Sequence, residues 1–224
     1  MPVKFPKAVL FDLDGTLLDS APDMVAAIDA MRAARGRPPM PLEQLRPHVS
    51  KGGRAMVAAA FPDVDPAERD GWLREFLDLY EGVLGTYCKL FEGVDAMLAA
   101  LENAGCTWGI VTNKPEYLAR QLMPVLGWEQ RCAVLIGGDT LSERKPHPLP
   151  LLAAAERIGV ASEACVYVGD DERDIIAARA AGMPSVVALW GYRLDEDNPV
   201  AWQGDTMIDV PSQLIDAAAW PTTR

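Results

Sequence analysis

Two carboxylates stand two positions apart directly after an apolar run near the start of the chain. Asp12 and Asp14 follow Ala8–Phe11 and are themselves followed by Gly15 and Thr16. On extended backbone, side chains two residues apart share a face with their Cα atoms roughly 6.6 Å apart, so both acids can address one bound group. Two like charges this close require a cation or a proton between them. The pattern predicts a site for a cation and an anionic ligand, because Gly15 leaves the loop amides open.

Further polar side chains stand at or after the ends of later predicted strands. They lie in three short stretches: Thr112-Asn113, Lys145-Pro146 and Asp170-Asp171 through Asp174. Open parallel sheets bind ligands at the carboxyl ends of their strands, so these side chains are expected to converge on Asp12 and Asp14. Pro146 restricts Lys145 to an extended conformation. The predicted site therefore combines carboxylates, a hydroxyl and one fixed cation.

Helix capping is the alternative explanation for several of these residues. Thr112 or Asn113 could cap the helix predicted to begin near Pro115, because Ser, Thr and Asn are favoured N-caps. Asp171 or Asp174 could cap the helix that follows them. One acid suffices for a cap, however, and three acids together favour a metal ion.

Buried strands and amphipathic helices alternate along most of the chain. Short runs rich in Val and Ile predict strands at residues 8–11, 108–112, 134–137, 166–169 and 185–189. Apolar residues at helical spacing predict helices at residues 94–104, 116–126, 149–158 and 174–181, each followed by a glycine. This alternation predicts the fold class as α/β, with a doubly wound parallel sheet.

A long stretch separates the first predicted strand from the second. A parallel sheet needs only a short crossover there, so the excess predicts an inserted all-α cap domain at residues 20–89, which we call the helical insert. Its predicted helices span residues 21–36, 41–49, 53–61 and 67–87. The α/β core is accordingly expected at residues 1–19 and 90–224.

Charge and composition exclude several classes of partner. The 224-residue chain carries 21 basic and 32 acidic residues, a formal net charge of -11, which repels nucleic acid and anionic membranes. Asp12 and Asp14 interrupt the only N-terminal apolar run, so no signal peptide is predicted, and no run approaches membrane-spanning length. The four cysteines are scattered and indicate no zinc or redox pair. We expect a cytoplasmic protein, a monomer or homodimer, that acts on a small molecule.

One loop of the helical insert combines glycine with positive charge. Lys51 and Arg54 flank Gly52 and Gly53 where a predicted helix begins. Amides and cations at a helix start can bind a second anionic group of a substrate, so both residues are candidate substrate ligands. A solvated helix start with ordinary surface charges is the alternative.

The motifs together resemble the haloacid dehalogenase-like phosphohydrolases. The resemblance rests on Asp12-Leu13-Asp14-Gly15-Thr16, Thr112, Lys145 and Gly169-Asp170-Asp171 through Asp174, in that order. It implies that Asp12 is the nucleophile and that Asp14 protonates the leaving oxygen and then activates water. Asp12, Asp170 and the backbone carbonyl of Asp14 are implied to bind Mg²⁺, with Asp171 and Asp174 supporting the metal site.

The substrate implied by the resemblance is a small phosphorylated metabolite. Thr112, Asn113 and Lys145 are assigned to binding its phosphoryl group. The stretches 111–115 and 137–148 are most similar to phosphoglycolate phosphatases, and the same strings also resemble the N-acetylmuramic acid 6-phosphate phosphatases of cell-wall recycling. A sugar-phosphate mutase and a regulatory or scaffolding protein are the remaining alternatives. A dehalogenase is disfavoured, because Asp14 would have no leaving oxygen to protonate.

Overall fold

The computed structural model describes residues 5–223, and at its centre lies a six-stranded parallel sheet. The strands of the described chain are β1 (Ala8–Phe11), β2 (Leu18–Asp19), β3 (Lys89–Leu90), β4 (Thr107–Val111), β5 (Leu135–Ile136), β6 (Cys165–Gly169), β7 (Ser185–Ala188) and β8 (Thr206–Ile208). The central sheet has the spatial order β5-β4-β1-β6-β7-β8, and every neighbouring pair is parallel. The predicted α/β class is thereby confirmed. β2, β3 and β8, which have two or three residues each, were not predicted from the sequence.

Helices surround the sheet on both faces. The described residues form α1 (Ala21–Ala34), α2 (Leu42–Leu45), α3 (Gly53–Ala60), α4 (Pro66–Gly71), α5 (Leu73–Val83), α6 (Val94–Asn103), α7 (Glu116–Leu126), α8 (Leu149–Arg157) and α9 (Glu172–Ala180). Short 3-10 helices lie at Arg46–His48, Ser162–Ala164, Pro199–Trp202, Pro211–Ile215 and Ala217–Ala219. None of the helices within residues 5–223 is both long and apolar enough to cross a membrane.

The alternation of side chains along β1 divides the core into two layers. Val9 and Phe11 pack on one face of the sheet with residues of α6 and α7, whereas Ala8 and Leu10 pack on the other with residues of α8 and α9. All four side chains are fully buried. Burial on both faces is typical of a parallel strand and explains why this apolar run could be recognised from sequence.

The helices α1 to α5 lie between β2 and β3 and share a hydrophobic cluster, which includes Met56 and Phe76 and is completed by Leu118 and Tyr192 of the α/β core. The chain enters and leaves this segment through β2 and β3, which pair antiparallel. A hydrophobic cluster formed mostly by these helices, together with the paired entry strands, supports the division into a helical insert and a core. The boundaries at residues 19/20 and 89/90 stay predictions, and the predicted ends at residues 1 and 224 lie outside the described residues.

Two helix predictions in the insert were wrong. The stretch 67–87 forms two helices, α4 and α5, and the second ends at Val83. Beyond it, the carboxylate of Asp23 on α1 accepts hydrogen bonds from the backbone amides of Gly85 at 2.8 Å and Tyr87 at 2.6 Å, which holds the chain away from a helical path. The stretch 41–49 forms only the single turn α2 and a 3-10 turn, since Pro47 has no amide to continue the helix.

Candidate active site

Three neighbouring strands of the sheet deliver polar side chains to one edge. Asp12 follows β1, Thr112 follows β4 and Asp170 follows β6. They lie beside a cavity of about 220 Å³ between this edge and the helical insert. The candidate residues that line it are Asp12, Asp14, Lys51, Arg54, Thr112, Asn113, Lys145, Asp171 and Asp174. Asp170 is completely buried beside them.

Three of the carboxylates form a compact acidic cluster. Oxygen atoms of Asp12, Asp170 and Asp174 all lie within 4.8 Å of one another. Burial, together with the charge of Asp12, raises the pKa of Asp170 well above its usual range. Burial also raises the pKa of Asp174, to about 6. Three carboxylates this close together are suited to binding a hard cation, which prefers oxygen ligands.

Two local features support a metal at this cluster. Among residues 5–223, Oδ1 of Asp12 is buried and finds no hydrogen-bond partner of suitable geometry, although Nζ of Lys145 lies 2.9 Å away. A Cβ on Gly15 would lie 2.1 Å from Oδ2 of Asp170, and Gly15 has a φ of +89°. Only glycine allows the loop to pass this close to the cluster. The residues therefore fit a divalent metal ion.

Lys145 is a buried cation that pairs with two members of the cluster. Its Nζ lies 2.9 Å from Oδ1 of Asp12 and 2.7 Å from Oδ1 of Asp174, and it donates to the hydroxyl of Tyr167 at 2.8 Å. Burial alone would lower the pKa of Lys145, but the charges of Asp12 and Asp174 raise it above its usual value. The buried ammonium is thus held in its charged form next to the predicted nucleophile.

Asp14 points to a different partner. Nζ of Lys114 lies 3.2 Å from both carboxylate oxygens of Asp14 and also donates to the hydroxyl of Tyr80 on α5. The carboxylate of Asp14 is therefore not a member of the acidic cluster, which leaves only its backbone carbonyl as the predicted metal ligand. Sequence analysis missed Lys114 as a site residue. Its position two residues after Thr112, before the restrictive Pro115, was the available signal.

The loop after β4 does not cap the next helix as the alternative explanation required. Pro115 precedes α7, no side chain caps it, and the amide of Glu116 donates instead to Asp139 at 2.7 Å. The hydroxyl oxygen of Thr112 accepts from the amide of Lys114 at 3.2 Å, which leaves its proton for an acceptor in the cavity. The amide nitrogen of Asn113 donates to the backbone carbonyl of Lys145 at 2.9 Å and so joins two loops of the site.

Asp171 and Asp174 both take part in capping α9, contrary to the expectation that one acid would suffice. Asp171 accepts from the amide of Arg173, and Asp174 accepts from the amide of Asp171, each at 3.0 Å. Although burial opposes it, hydrogen bonds from Arg173 and Lys51 lower the pKa of Asp171 to about 2. Asp174 uses its other oxygen for Lys145 and thereby connects the helix start to the cluster.

The two candidate ligands from the helical insert are both paired with acids. Nζ of Lys51 lies 2.9 Å from Asp171 and 3.0 Å from Asp197, and Arg54 pairs with the exposed Asp70. Their role in substrate binding stays a prediction.

Two further residues of this region were missed by the sequence analysis. The hydroxyl of Ser50 donates to Oδ2 of Asp170 at 2.7 Å, and the side chain of Arg173 donates to the backbone carbonyl of Ser50. Ser50 belongs to the helical insert, and no local pattern shows which core residue it meets.

Comparisons with known proteins find relatives along nearly the whole chain. The family model for haloacid dehalogenase-like hydrolases matches residues 9–188. A phosphoglycolate phosphatase from Xanthomonas campestris pv. campestris (strain 8004) is 67% identical over 219 residues, covering 98% of this chain and 99% of the relative. An N-acetylmuramic acid 6-phosphate phosphatase from Pseudomonas aeruginosa is 45% identical over 211 residues, covering 94% of this chain and 93% of the relative.

A solved structure shares the arrangement of the core and the helical insert. The crystal structure of a predicted phosphoglycolate phosphatase from Haemophilus somnus 129PT superposes with a TM-score of 0.82 at 26% identity, covering 96% of this chain and 98% of that chain. The resemblance found in the sequence motifs is confirmed. This chain belongs to the haloacid dehalogenase-like hydrolases.

Proposed function

We propose that this hydrolase is a Mg²⁺-dependent phosphatase of a small phosphorylated metabolite, with phosphoglycolate as its substrate. The observation that carries the proposal is the meeting of Asp12, Asp14, Thr112 and Lys145 around one cavity beside an acidic cluster. The 67% identical relative named as a phosphoglycolate phosphatase supports the choice of substrate. The cytoplasmic location, the monomer or homodimer state and the exclusion of nucleic acid stay predictions.

Mg²⁺ would be held by the carboxylates of Asp12 and Asp170, with Asp174 beside them, and by the backbone carbonyl of Asp14. When bound, the ion neutralises this cluster and stabilises negative charge on the phosphoryl oxygens. Lys145, which forms ion pairs with Asp12 and Asp174, would supply a second positive charge beside the ion. The ammonium and the hydroxyl of Thr112 would bind the phosphoryl oxygens as the transition state forms.

Catalysis would proceed through two displacements at phosphorus. An oxygen of Asp12 forms a bond to phosphorus while the bond to the leaving oxygen breaks, and Asp14 gives its proton to that oxygen. The product is an aspartyl-phosphate on Asp12. Asp14 then takes a proton from water, whose oxygen attacks phosphorus, releasing inorganic phosphate and restoring the carboxylate of Asp12.

The size of the cavity favours the smaller of the two candidate substrates. About 220 Å³ lies below the roughly 300–1,000 Å³ typical of pockets for drug-sized ligands. Phosphoglycolate fits this space better than the much larger N-acetylmuramic acid 6-phosphate. The 45% identical Pseudomonas aeruginosa phosphatase keeps the latter as the second candidate.

A direct assay compares both metabolites with hexose phosphates in the presence of Mg²⁺. We expect rapid phosphate release from phosphoglycolate, slower release from N-acetylmuramic acid 6-phosphate and no isomerised hexose phosphate. Asp12→Asn removes the nucleophile and should abolish turnover while the protein still melts cooperatively, whereas Asp78→Asn, at an exposed position on α5, should leave turnover intact. Turnover retained by Asp12→Asn, or a hexose phosphate isomer among the products, would contradict the proposal.

A further inference from the structure

A buried lysine to which the proposed mechanism gives no role joins the core to the helical insert. Lys114 is only 6% exposed, and its Nζ lies 3.2 Å from each oxygen of Asp14. The same ammonium donates to the hydroxyl of Tyr80 and lies 4.3 Å from the centre of its ring. Tyr80 is 1% exposed on α5 and stacks on Phe76 with ring centres 5.9 Å apart. Lys114 is therefore held by Asp14 on the core and by Tyr80 on the helical insert.

The site thus contains two buried lysines with separate partners. Lys145 forms ion pairs with Asp12 and Asp174, whereas Lys114 forms one with Asp14. Each of the two acids in the Asp12-Leu13-Asp14 stretch has its own ammonium.

The Lys114 ammonium has two partners. The two oxygens of Asp14 lie too close together to take separate N–H groups, so they share one donor, and a second donor goes to the hydroxyl of Tyr80. Burial raises the pKa of Tyr80 well above its usual value, so the phenol stays neutral and can accept this bond. Lys114 also lines the cavity, and both of its partners hold its ammonium beside Asp14. The geometry indicates a residue that acts through Asp14.

We propose that Lys114 is a positioning residue, which Tyr80 holds in place and which fixes the carboxylate of Asp14 where it meets the leaving oxygen. The inference rests on the proposed function, since it takes Asp14 as the group that protonates that oxygen. It also makes the position of Asp14 depend on how α5 of the helical insert docks on the core.

The test compares two substrates that differ in their need for a proton. p-Nitrophenol leaves readily as an anion, whereas phenol needs protonation, and neither aryl phosphate carries a carboxylate that a lysine could bind. A group misplaced by 1 Å can lose about 10²-fold in rate, so Lys114→Met should lower kcat/KM for phenyl phosphate by about 100-fold. The loss for p-nitrophenyl phosphate should stay within about 3-fold, since proton donation contributes little to that reaction.

A double-mutant cycle shows whether Lys114 acts through Asp14. In an Asp14→Asn background, Lys114→Met should change kcat/KM for phenyl phosphate by less than about 3-fold, because the group it positions is already gone. The value of kcat/KM reports the first displacement alone, since departure of the phenol is irreversible under assay conditions. A full 100-fold loss in that background, or equal losses on both aryl phosphates, would overturn the inference.

Tyr80→Phe provides an independent variant in case Lys114→Met does not fold. It removes one acceptor of the ammonium and keeps the ring, so we expect the same selectivity for phenyl phosphate with a loss of about 10-fold. Tyr117→Phe, at an exposed tyrosine on α7, is the matched control and should change neither rate. Unchanged kinetics in Tyr80→Phe would refute the role of α5.

Measurements on the wild-type protein distinguish a failure of this inference from a failure of the proposed function. Mg²⁺-dependent hydrolysis of both aryl phosphates, abolished by Asp12→Asn, is measured first. Phosphate release from phosphoglycolate is measured beside it. The absence of hydrolysis with all three compounds would refute the proposed function and the inference together, whereas equal losses of Lys114→Met on the two aryl phosphates would refute the inference alone.

Discussion

Replacing Lys145 by Met should affect stability and activity together, because this ammonium balances two buried carboxylates. Its Nζ lies 2.9 Å from Asp12 and 2.7 Å from Asp174, and the side chain is only 3% exposed. At an effective dielectric constant of about 20, each contact corresponds to a gross attraction of about 6 kcal/mol. Much of this is offset by desolvation, and removing one partner of a buried pair costs about 3–5 kcal/mol net.

We therefore expect the free energy of unfolding of metal-free Lys145→Met to fall by about 4 kcal/mol. Mg²⁺ should restore part of this loss, because the uncompensated cluster gains more from a cation than the wild-type cluster does. Turnover should fall by about 10³-fold, since a unit charge about 4 Å from the phosphoryl group contributes about 4 kcal/mol and each 1.36 kcal/mol is tenfold in rate.

Urea unfolding with and without Mg²⁺, together with phosphate release, measures all three effects. Lys7→Met removes an exposed lysine just before β1 and serves as the control, for which no change is expected. An unfolding free energy within about 1 kcal/mol of wild type, combined with normal turnover, would show that the Lys145 contacts carry no such energy.

Three further variants test the acidic cluster and its surroundings. Asp171→Asn keeps the helix cap but removes a carboxyl whose pKa is about 2 when folded against 3.8 when unfolded. In the wild type, this carboxyl contributes about 2 kcal/mol to the free energy of unfolding above pH 3.8, and the contribution is lost as the pH falls through about 2. Urea unfolding across this pH range should show that Asp171→Asn lacks this contribution. Asp170→Asn should raise the melting temperature of the metal-free protein at neutral pH and abolish its increase with Mg²⁺, because one of three crowded carboxylates is neutralised; a lower metal-free melting temperature would count against the cluster. Gly15→Ala should lose metal-dependent turnover, whereas Gly105→Ala shares a positive φ, meets nothing within 4 Å and should lose only about 1 kcal/mol of stability. Equal activity of the two glycine variants would show that the close approach to Asp170 is unimportant.

The strand ends of the site could be predicted because parallel strands place their last residues at a common edge. Asp12, Thr112 and Asp170 follow strands with continuous apolar runs, and the structure brings them beside one cavity. β8 has no such run, since only Met207 and Ile208 are apolar between Thr206 and Asp209. β2 and β3 have two residues each, too few for any periodicity.

The contacts between the insert and the core could not be predicted, because they depend on docking rather than on local pattern. Lys114 meets Tyr80 across 34 positions, and Ser50 meets Asp170 across 120. The end of α5 likewise depends on Asp23, whose carboxylate binds amides more than sixty positions later. In each case the sequence shows a polar residue but not the element that approaches it.

The pairing of β2 with β3 has a consequence for how the chain could have acquired its insert. Leu18 lies opposite Leu90, and Asp19 lies opposite Lys89, in an antiparallel ladder. Antiparallel neighbours can be joined by a two-residue hairpin turn. Everything between Asp19 and Lys89 could thus be exchanged for such a turn, or for a different lid, without rerouting a single strand of the central sheet. Such an exchange would keep the strand order of the sheet but would remove the contacts that Ser50 and Tyr80 make with the site.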